Sequence, residues 1–258
     1  MPDLLHRITA FRAAFARRQA AELVELPGAF AVRDPGFFRS QEHNQLIVDA
    51  PDADPALLAE LAAQTLGSQR QYRITVLDEA LGEHATPTLE AAGYTRETVL
   101  LLARETAGCI PPDPAAHPVA LAGELRAAVL RQQLEWGLDQ ELARQLTDRR
   151  TARLRGAEEV LLLAARTPAG EIAAWADLYL DRSSGLAQLE DLVTAGPHRG
   201  QGHGGTVLAT GLALAAAAGI PELFLLADAV DWPREWYARR GFTECGRGHS
   251  FVGAPDGP

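Results

Sequence analysis

The chain contains no lysine: all 24 of its basic residues are arginine, set against 34 Asp and Glu for a formal net charge of −10. A phosphate-binding loop of the Gly-Lys-Ser/Thr kind is therefore excluded. The deficit of positive charge holds along the whole chain, with 10 Arg against 16 acidic residues before Val119 and 14 against 18 from there on. Neither half offers the basic face that a nucleic acid needs. An acidic surface does favour encounter with a cationic amine. Cysteine is almost absent, and Cys109 and Cys245 lie far apart. That excludes a disulfide framework and gives no zinc-ligand spacing, so no metal is expected. Long apolar runs are missing too. The longest, residues 206–220, is rich in Ala and Gly and reads as a packed helix, so no membrane association is expected. The start, Met1-Pro2-Asp3, has no basic region followed by an apolar core. No signal peptide is expected, and the cytoplasm is the expected location.

What is present is a core-forming composition and one dense motif. Hydrophobic residues make up 47% of 258, which suits one to two domains. An apolar strand, residues 186–194, runs into Gly196-Pro197-His198-Arg199-Gly200-Gln201-Gly202-His203-Gly204-Gly205, and an Ala/Leu-rich helix, residues 206–218, follows at once. Glycines let a backbone come close to a ligand. The first amides of a helix are unpaired and carry the positive end of its dipole. Strand, glycine turn and helix thus make a place for a phosphate or pyrophosphate. Gly200, Gly202 and Gly205 also fit G-x-G-x-x-G, a weak match that gives Gly204 no role.

The spacing Arg199-x-x-Gly202-x-Gly204 resembles the pyrophosphate loop of the GCN5-related N-acetyltransferases (GNAT). Downstream, Tyr237-Ala-Arg-Arg-Gly241-Phe242 resembles the Tyr-x-x-x-Gly-Phe ending of that family. The resemblance covers about residues 119–252. It implies an α/β (α+β) fold with a mixed, mostly antiparallel sheet flanked by helices. The pattern of helices at 122–136 and 139–155, strands at 160–166, 171–180 and 186–194, helix 206–218, strand 222–227, helix 233–240 and strand 242–252 agrees with it. Residues 106–118, with four prolines, read as a linker. Before them, residues 1–105 carry an echo of the same order, and Leu89-Glu-Ala-Ala-Gly93-Tyr94 parallels the Tyr237 motif. A shortened, degenerate GNAT-like domain is expected there, a separate small α/β domain being the other reading. Asp49, Asp52 and Asp54 stand where its glycine loop would be and would repel a pyrophosphate. This half is expected to cover the substrate site or to mediate homodimer contacts, with residues 119–258 as the catalytic domain.

The resemblance also implies chemistry: acetyl transfer from acetyl-CoA to a primary amine of a small molecule or peptide. Arg199, Gly200, Gln201, Gly202, His203, Gly204 and Gly205 would hold the pyrophosphate. In the family the strand before the loop splays from its neighbour and pairs with the pantetheine arm, which falls here on Leu192, Val193 and Thr194. A backbone N–H, that of Val193, would polarise the thioester carbonyl. Leu189-Glu190-Asp191-x-x-Thr194 is similar to the Leu-Glu-Asp-x-x-Val run of polyamine-type members, which makes Glu190 the candidate general base. Strand alternation puts Asp191 on the opposite face unless a bulge intervenes. Tyr237 is the candidate general acid, protonated at neutral pH. Where many members carry an Asn, this chain has Val230 and Asp231, and Asp231 reads as the N-cap of the next helix. Trp232 and Trp236 read as core, with the lining of the acceptor pocket as the other reading, and His198 and His203 read as exposed. Two rival functions fit the same motifs: a non-catalytic acyl-CoA-binding or assembly protein, and a protein N-terminal acetyltransferase.

Overall fold

Helices arise where apolar residues recur at helical spacing, and many end at a glycine with positive φ. The computed structural model describes residues 3–67, 72–108 and 116–253. In chain order it contains α1 (Leu4–Gln19), β1 (Glu22–Leu26), β2 (Ala29–Arg33), β3 (Gln45–Val48), α2 (Leu58–Leu66), β4 (Tyr72–Val76), α3 (Glu79–Ala91), β5 (Thr95–Glu105), β6 (Ala116–Pro118), α4 (Glu124–Glu135), α5 (Gln140–Asp148), α6 (Arg150–Arg153), β7 (Glu159–Arg166), β8 (Ile172–Asp181), β9 (Leu186–Thr194), α7 (His203–Ala217), β10 (Glu222–Asp228), α8 (Pro233–Ala238) and β11 (Thr243–Gly253). Helices flank mixed, mostly antiparallel sheet, the expected fold class. The second expected helix is broken into α5 and α6, and β1 was not foreseen. Among the described residues no helix is long and apolar enough to cross a membrane.

The chain forms two compact units, Met1–Leu102 with Leu226–Pro258, and Ala103–Leu225. This division differs from the expected one, which gave the C-terminal residues to the second domain. The reason is β11. It pairs antiparallel with β4, from His249 opposite Val76 to Gly253 opposite Tyr72, and it buries Phe251 in the core of the first unit. Part of the expected linker, residues 109–115, lies outside the described residues. Its last three residues are β6, which pairs with β7 at the end of the strand order. An edge is where a proline-bearing strand belongs.

In the first unit the strand order is β1-β2-β3-β4-β11-β5. β3 and β4 are parallel and joined through α2, while β1–β2 and β2–β3 are antiparallel. Strand alternation sends Ala29 and Ala31 to one core, with Leu46, Val48, Ile74 and Leu89, and Phe30 and Val32 to another, with Ala13 and Ala16 of α1. The two parallel sequence motifs are one structure used twice. After α3, Tyr94 N–H donates to Leu89 O at 3.0 Å and Gly93 N–H to Glu90 O at 3.0 Å, with Gly93 at φ 87°. After α8, Phe242 N–H donates to Tyr237 O at 3.2 Å and Gly241 N–H to Ala238 O at 3.0 Å, with Gly241 at φ 83°. Both are Schellman helix ends, in which a left-handed glycine lets two amides turn back onto the last carbonyls.

In the second unit the order is β10-β9-β8-β7-β6. One face of β8 packs Trp175 against Leu125, Ala128 and Val129 of α4. Leu134, near the end of α4, is exposed. α7 lies on the other face. A Cβ on Gly211 would come within 3.1 Å of Leu189 and 3.8 Å of Leu178, so the helix sits close to the sheet there.

Candidate functional site

The site is organised by the way β9 ends. Its parallel pairing with β10 covers Leu186–Gln188, from Leu186 opposite Glu222 to Gln188 opposite Phe224, and stops. From Leu189 to Thr194 the edge facing β10 has no strand ladder. On the other side β9 stays paired with β8, but the register shifts. Asp177 faces Glu190, and Trp175 faces Val193. Asp191 and Leu192 therefore share the single position of Ala176, which is a β-bulge. Asp191 has φ 51°, and among the described residues it is the one non-glycine residue with positive φ.

The bulge has two consequences, the first of which the strand alternation had left open to it. Glu190 stands directly opposite Asp177, and the Asp191 carboxylate meets the same guanidinium groups as Asp177. Glu190 and Asp191 thus project toward one face, that of α6, and not to opposite faces. The second consequence concerns the backbone. Ala195 N–H donates to Ala173 O at 2.9 Å, so Ala195 is bonded to β8. Hydrogen-bonding direction alternates along a strand, so Val193 also turns its groups to β8, and Leu192 and Thr194 turn theirs to the open edge. The N–H groups turned to the open edge are thus those of Leu192 and Thr194, and that of Val193 is not among them.

The loop after β9 is built by three glycines with different reasons to be glycine. Gly200 (φ 76°) and Gly202 (φ 91°) hold left-handed backbone, and an added Cβ on either would meet nothing within 4 Å. Gly204 has ordinary φ, but its Cβ would lie 2.9 Å from Thr194 Oγ1. α7 begins at His203, three residues before the expected start, and Thr206 N–H closes its first turn on Gly202 O at 3.1 Å. Its N-cap is Gly202, and among the described residues no side-chain cap bond is made there, which leaves the amides of its first turn to a ligand or solvent. Arg199 is exposed with Nε 3.5 Å from Thr194 O, and Gln201 Nε2 donates to Pro197 O at 3.1 Å. His198 and His203 are half-buried rather than exposed, with rings edge to face at 6.1 Å. His198 Nε2 lies 3.7 Å from Glu171. Beside the loop a cavity of 510 Å³ is lined by α4, the β7–β8 turn and Ala195, Pro197 and His198. Glu124, Glu135 and Glu171 give its wall an acidic bias. Among the described residues no three His, Cys, Asp or Glu are grouped to hold a metal.

Glu190 is half-buried, and its Oε2 accepts a hydrogen bond from Gln188 Nε2 at 2.6 Å. Next to it lies an ion cluster that the sequence reading missed. Arg150 and Arg153 are each 1% exposed, as is Asp177. Arg150 Nε is 2.9 Å from Asp177 Oδ1 and its Nη2 is 3.0 Å from Asp191 Oδ2. Arg153 Nη1 is 2.7 Å from both Asp177 Oδ2 and Asp191 Oδ2. Arg149 adds a contact to Asp191 at 3.3 Å. Burial alone would push the Asp191 carboxyl up, but the charges of Arg153, Arg149 and Arg150 outweigh it and hold the carboxyl well below the usual carboxylate range. Burial likewise works against the Arg150 charge, and Asp177 and Asp191 overcome it, raising the guanidinium above its ordinary value. The available signal was Asp177 itself, a carboxylate in the middle of Ala-Ala-Trp-Ala-Asp-Leu-Tyr-Leu.

Tyr237 belongs to the first unit. It is buried at the last turn of α8, edge-on to Phe242 at 5.6 Å and to Trp236 at 5.0 Å. Arg240 lies 3.7 Å over the Trp236 ring. Asp231 is not the N-cap. Trp232 holds that position and is 67% exposed, so it is not core, and Asp231 Oδ1 accepts from Trp232 N–H at 2.7 Å.

A splayed and bulged strand feeding a glycine loop and the open first turn of a helix is an arrangement suited to an anionic group such as a phosphate. Residues 127–242 match the model of the acetyltransferase (GNAT) family. No curated protein matches the chain in sequence. Among solved structures, a GCN5-related N-acetyltransferase from Kribbella flavida shares 18% identity and a TM-score of 0.63, over 100% of this chain and 98% of that one. A tandem GNAT protein from the clavulanic acid biosynthesis pathway shares 15% identity at a TM-score of 0.55, over 98% and 95%. A functionally unknown conserved protein from Staphylococcus epidermidis ATCC 12228 reaches a TM-score of 0.66 at 12% identity, over 92% and 95%.

Proposed function

We propose that the protein is an N-acetyltransferase that moves an acetyl group from acetyl-CoA to a primary amine of a small molecule or peptide. One observation carries the reading: β9 leaves β10 after Gln188, bulges at Asp191, and runs straight into a loop whose glycines leave open backbone before the open first turn of a helix. The residues fit the group. A Cβ at Gly200 or Gly202 would stand free of the protein, as backbone that faces a pyrophosphate would require. When bound, acetyl-CoA supplies an acyl carbon activated as a thioester.

The chain's own residues do the rest. Amides of Gly200–Gly205 hold the pyrophosphate, and Arg199 adds charge. The open-edge amides of Leu192 and Thr194 fix the acyl-bearing arm and donate to the thioester oxygen. Glu190 takes a proton from the ammonium of the acceptor, directly or through one water, because a protonated amine cannot attack. A placed base of this kind contributes about 10²–10⁴-fold. Tyr237 is the proposed acid for the departing thiolate. The carboxylates of the neighbouring cavity favour a cationic acceptor.

The test is thermal unfolding with and without millimolar acetyl-CoA, with free adenine nucleotide as control. A ligand at a hundredfold excess over its dissociation constant stabilises the folded state by about 2.7 kcal/mol. The expected result is a clear upward shift with acetyl-CoA beyond that of the nucleotide, followed by acetylation of members of an amine panel. The absence of any shift sinks the proposal. A shift with no turnover on any amine favours the acyl-CoA-binding alternative.

A further inference from the structure

Asp191 is the unusual residue of the site. It occupies left-handed backbone that a side chain rarely adopts, and it carries a charge that burial opposes. Its partners give the reason. Arg153 reaches Asp177 and Asp191 with one nitrogen, and Arg150 reaches the same two carboxylates with Nε and Nη2. Asp177 is on β8 at the border of the register shift, and Asp191 on β9 is one of the two bulge residues. Two carboxylates this close would repel each other and part the strands. With two guanidiniums between them, each strand is drawn to the same points of α6. We propose that Arg150 and Arg153 are positioning residues that clamp Asp177 to Asp191 and hold the bulge in place.

The alternative to the bulge shows what the clamp guards. If the extra residue were absorbed into a regular ladder, the register from Leu192 onward would slip by one. A one-residue slip exchanges the two sides of every following residue. The amides of Leu192 and Thr194 would turn to β8, and that of Val193 would turn to the open edge. A β8–β9 pairing without a fixed bulge has both registers within reach, since Ala174 and Ala176 are small and offer little resistance to either. The clamp selects one. Its consequence for acyl-CoA binding rests on the function proposed above, but its effect on the strand does not.

The test uses Asp191→Asn, which tolerates left-handed backbone and keeps the shape without the charge. Asp191→Gly adopts the same φ without strain and guards against failure of the first variant to fold. Amide hydrogen exchange of the ligand-free protein is followed through β7, β8 and β9. The clamp predicts exchange at least tenfold faster at those amides of residues 189–194 that are bonded to β8, with the amides of β7 and of the second half of β8, which faces Leu186–Leu189, unchanged. Unchanged exchange at 189–194 overturns it, and so does uniform acceleration across all three strands, which is simple loss of stability. A second readout compares acetyl-CoA with adenosine 3′,5′-bisphosphate, whose phosphates need only the glycine loop. A tenfold loss of acetyl-CoA affinity with the bisphosphate unaffected supports positioning, whereas equal losses overturn it. If the unaltered protein binds no acetyl-CoA, the proposed function fails, and hydrogen exchange still decides the clamp.

Discussion

Gly204 lies in a helix, where alanine is normally the better residue by about 0.5–1 kcal/mol. Replacing it here should do harm. The added Cβ would stand 2.9 Å from Thr194 Oγ1, inside normal van der Waals contact, so the start of α7 or the Thr194 side chain must give way. Overpacking of this kind costs about 1–3 kcal/mol. Set against the helix gain, Gly204→Ala should destabilise by about 1–2 kcal/mol. Thr194→Ala removes the oxygen that the Cβ meets. In that background Gly204→Ala should recover its ordinary advantage, and the sign of its effect should reverse. A double-mutant cycle of the four proteins, followed by thermal unfolding, isolates the contact. With about 2–4 °C per kcal/mol for a chain of this size, the midpoint should fall by about 2–8 °C in the first background and rise by about 1–4 °C in the second. Equal effects in the two backgrounds would refute the reasoning, and Gly204 would then be glycine for the sake of a ligand alone.

Glu190→Gln keeps the hydrogen-bond reach toward Gln188 and removes the base, so kcat on an amine should drop about 10²-fold or more with little change in acetyl-CoA affinity; unchanged turnover assigns the proton transfer elsewhere. Tyr237→Phe preserves the ring contact with Phe242 and should lower kcat while leaving the unfolding midpoint in place. Gly241→Ala should do the reverse, since left-handed backbone at φ 83° costs a residue with a Cβ about 1 kcal/mol; a midpoint that does not move counts against the helix end described. His249 is buried against Glu83 and near Glu79, Arg96 and Arg247, and burial, more than those charges, holds its pKa below the ordinary value. The unfolded chain therefore binds the proton more readily, and stability should fall as pH drops through about 6.5; denaturant unfolding at pH 7.5 and 5.5 should show a smaller loss for His249→Gln than for the unaltered protein.

Much of this architecture was legible because its signals are local. The strand–loop–helix passage around Gly202 and the paired Leu89 and Tyr237 motifs depend on residues next to one another. β1 was missed because Glu-Leu-Val-Glu-Leu sits at the end of the strand order, half exposed, with no apolar alternation to mark it. The bulge was not legible, since an aspartate says nothing of its own φ. The arginine cluster was hidden for another reason. Arg149, Arg150 and Arg153 look like the polar side of an amphipathic helix, and only the register of β8 and β9 brings Asp177 and Asp191 to meet them. The assignment of β11 to the first unit was equally out of reach, because a strand's partner is set by topology and not by its own composition.

The threading of the chain has a consequence for the order of events in its birth. The first unit needs residues from both ends of the sequence, while the second is one uninterrupted stretch, Ala103–Leu225. As the polypeptide leaves the ribosome, β4 emerges more than 160 residues ahead of β11, the strand it is to pair with. The segment that is synthesised second can close first, and the segment synthesised first must wait with an open edge for β11 to arrive. A chain that stops short of β11 would lose the N-terminal unit first, not the C-terminal one.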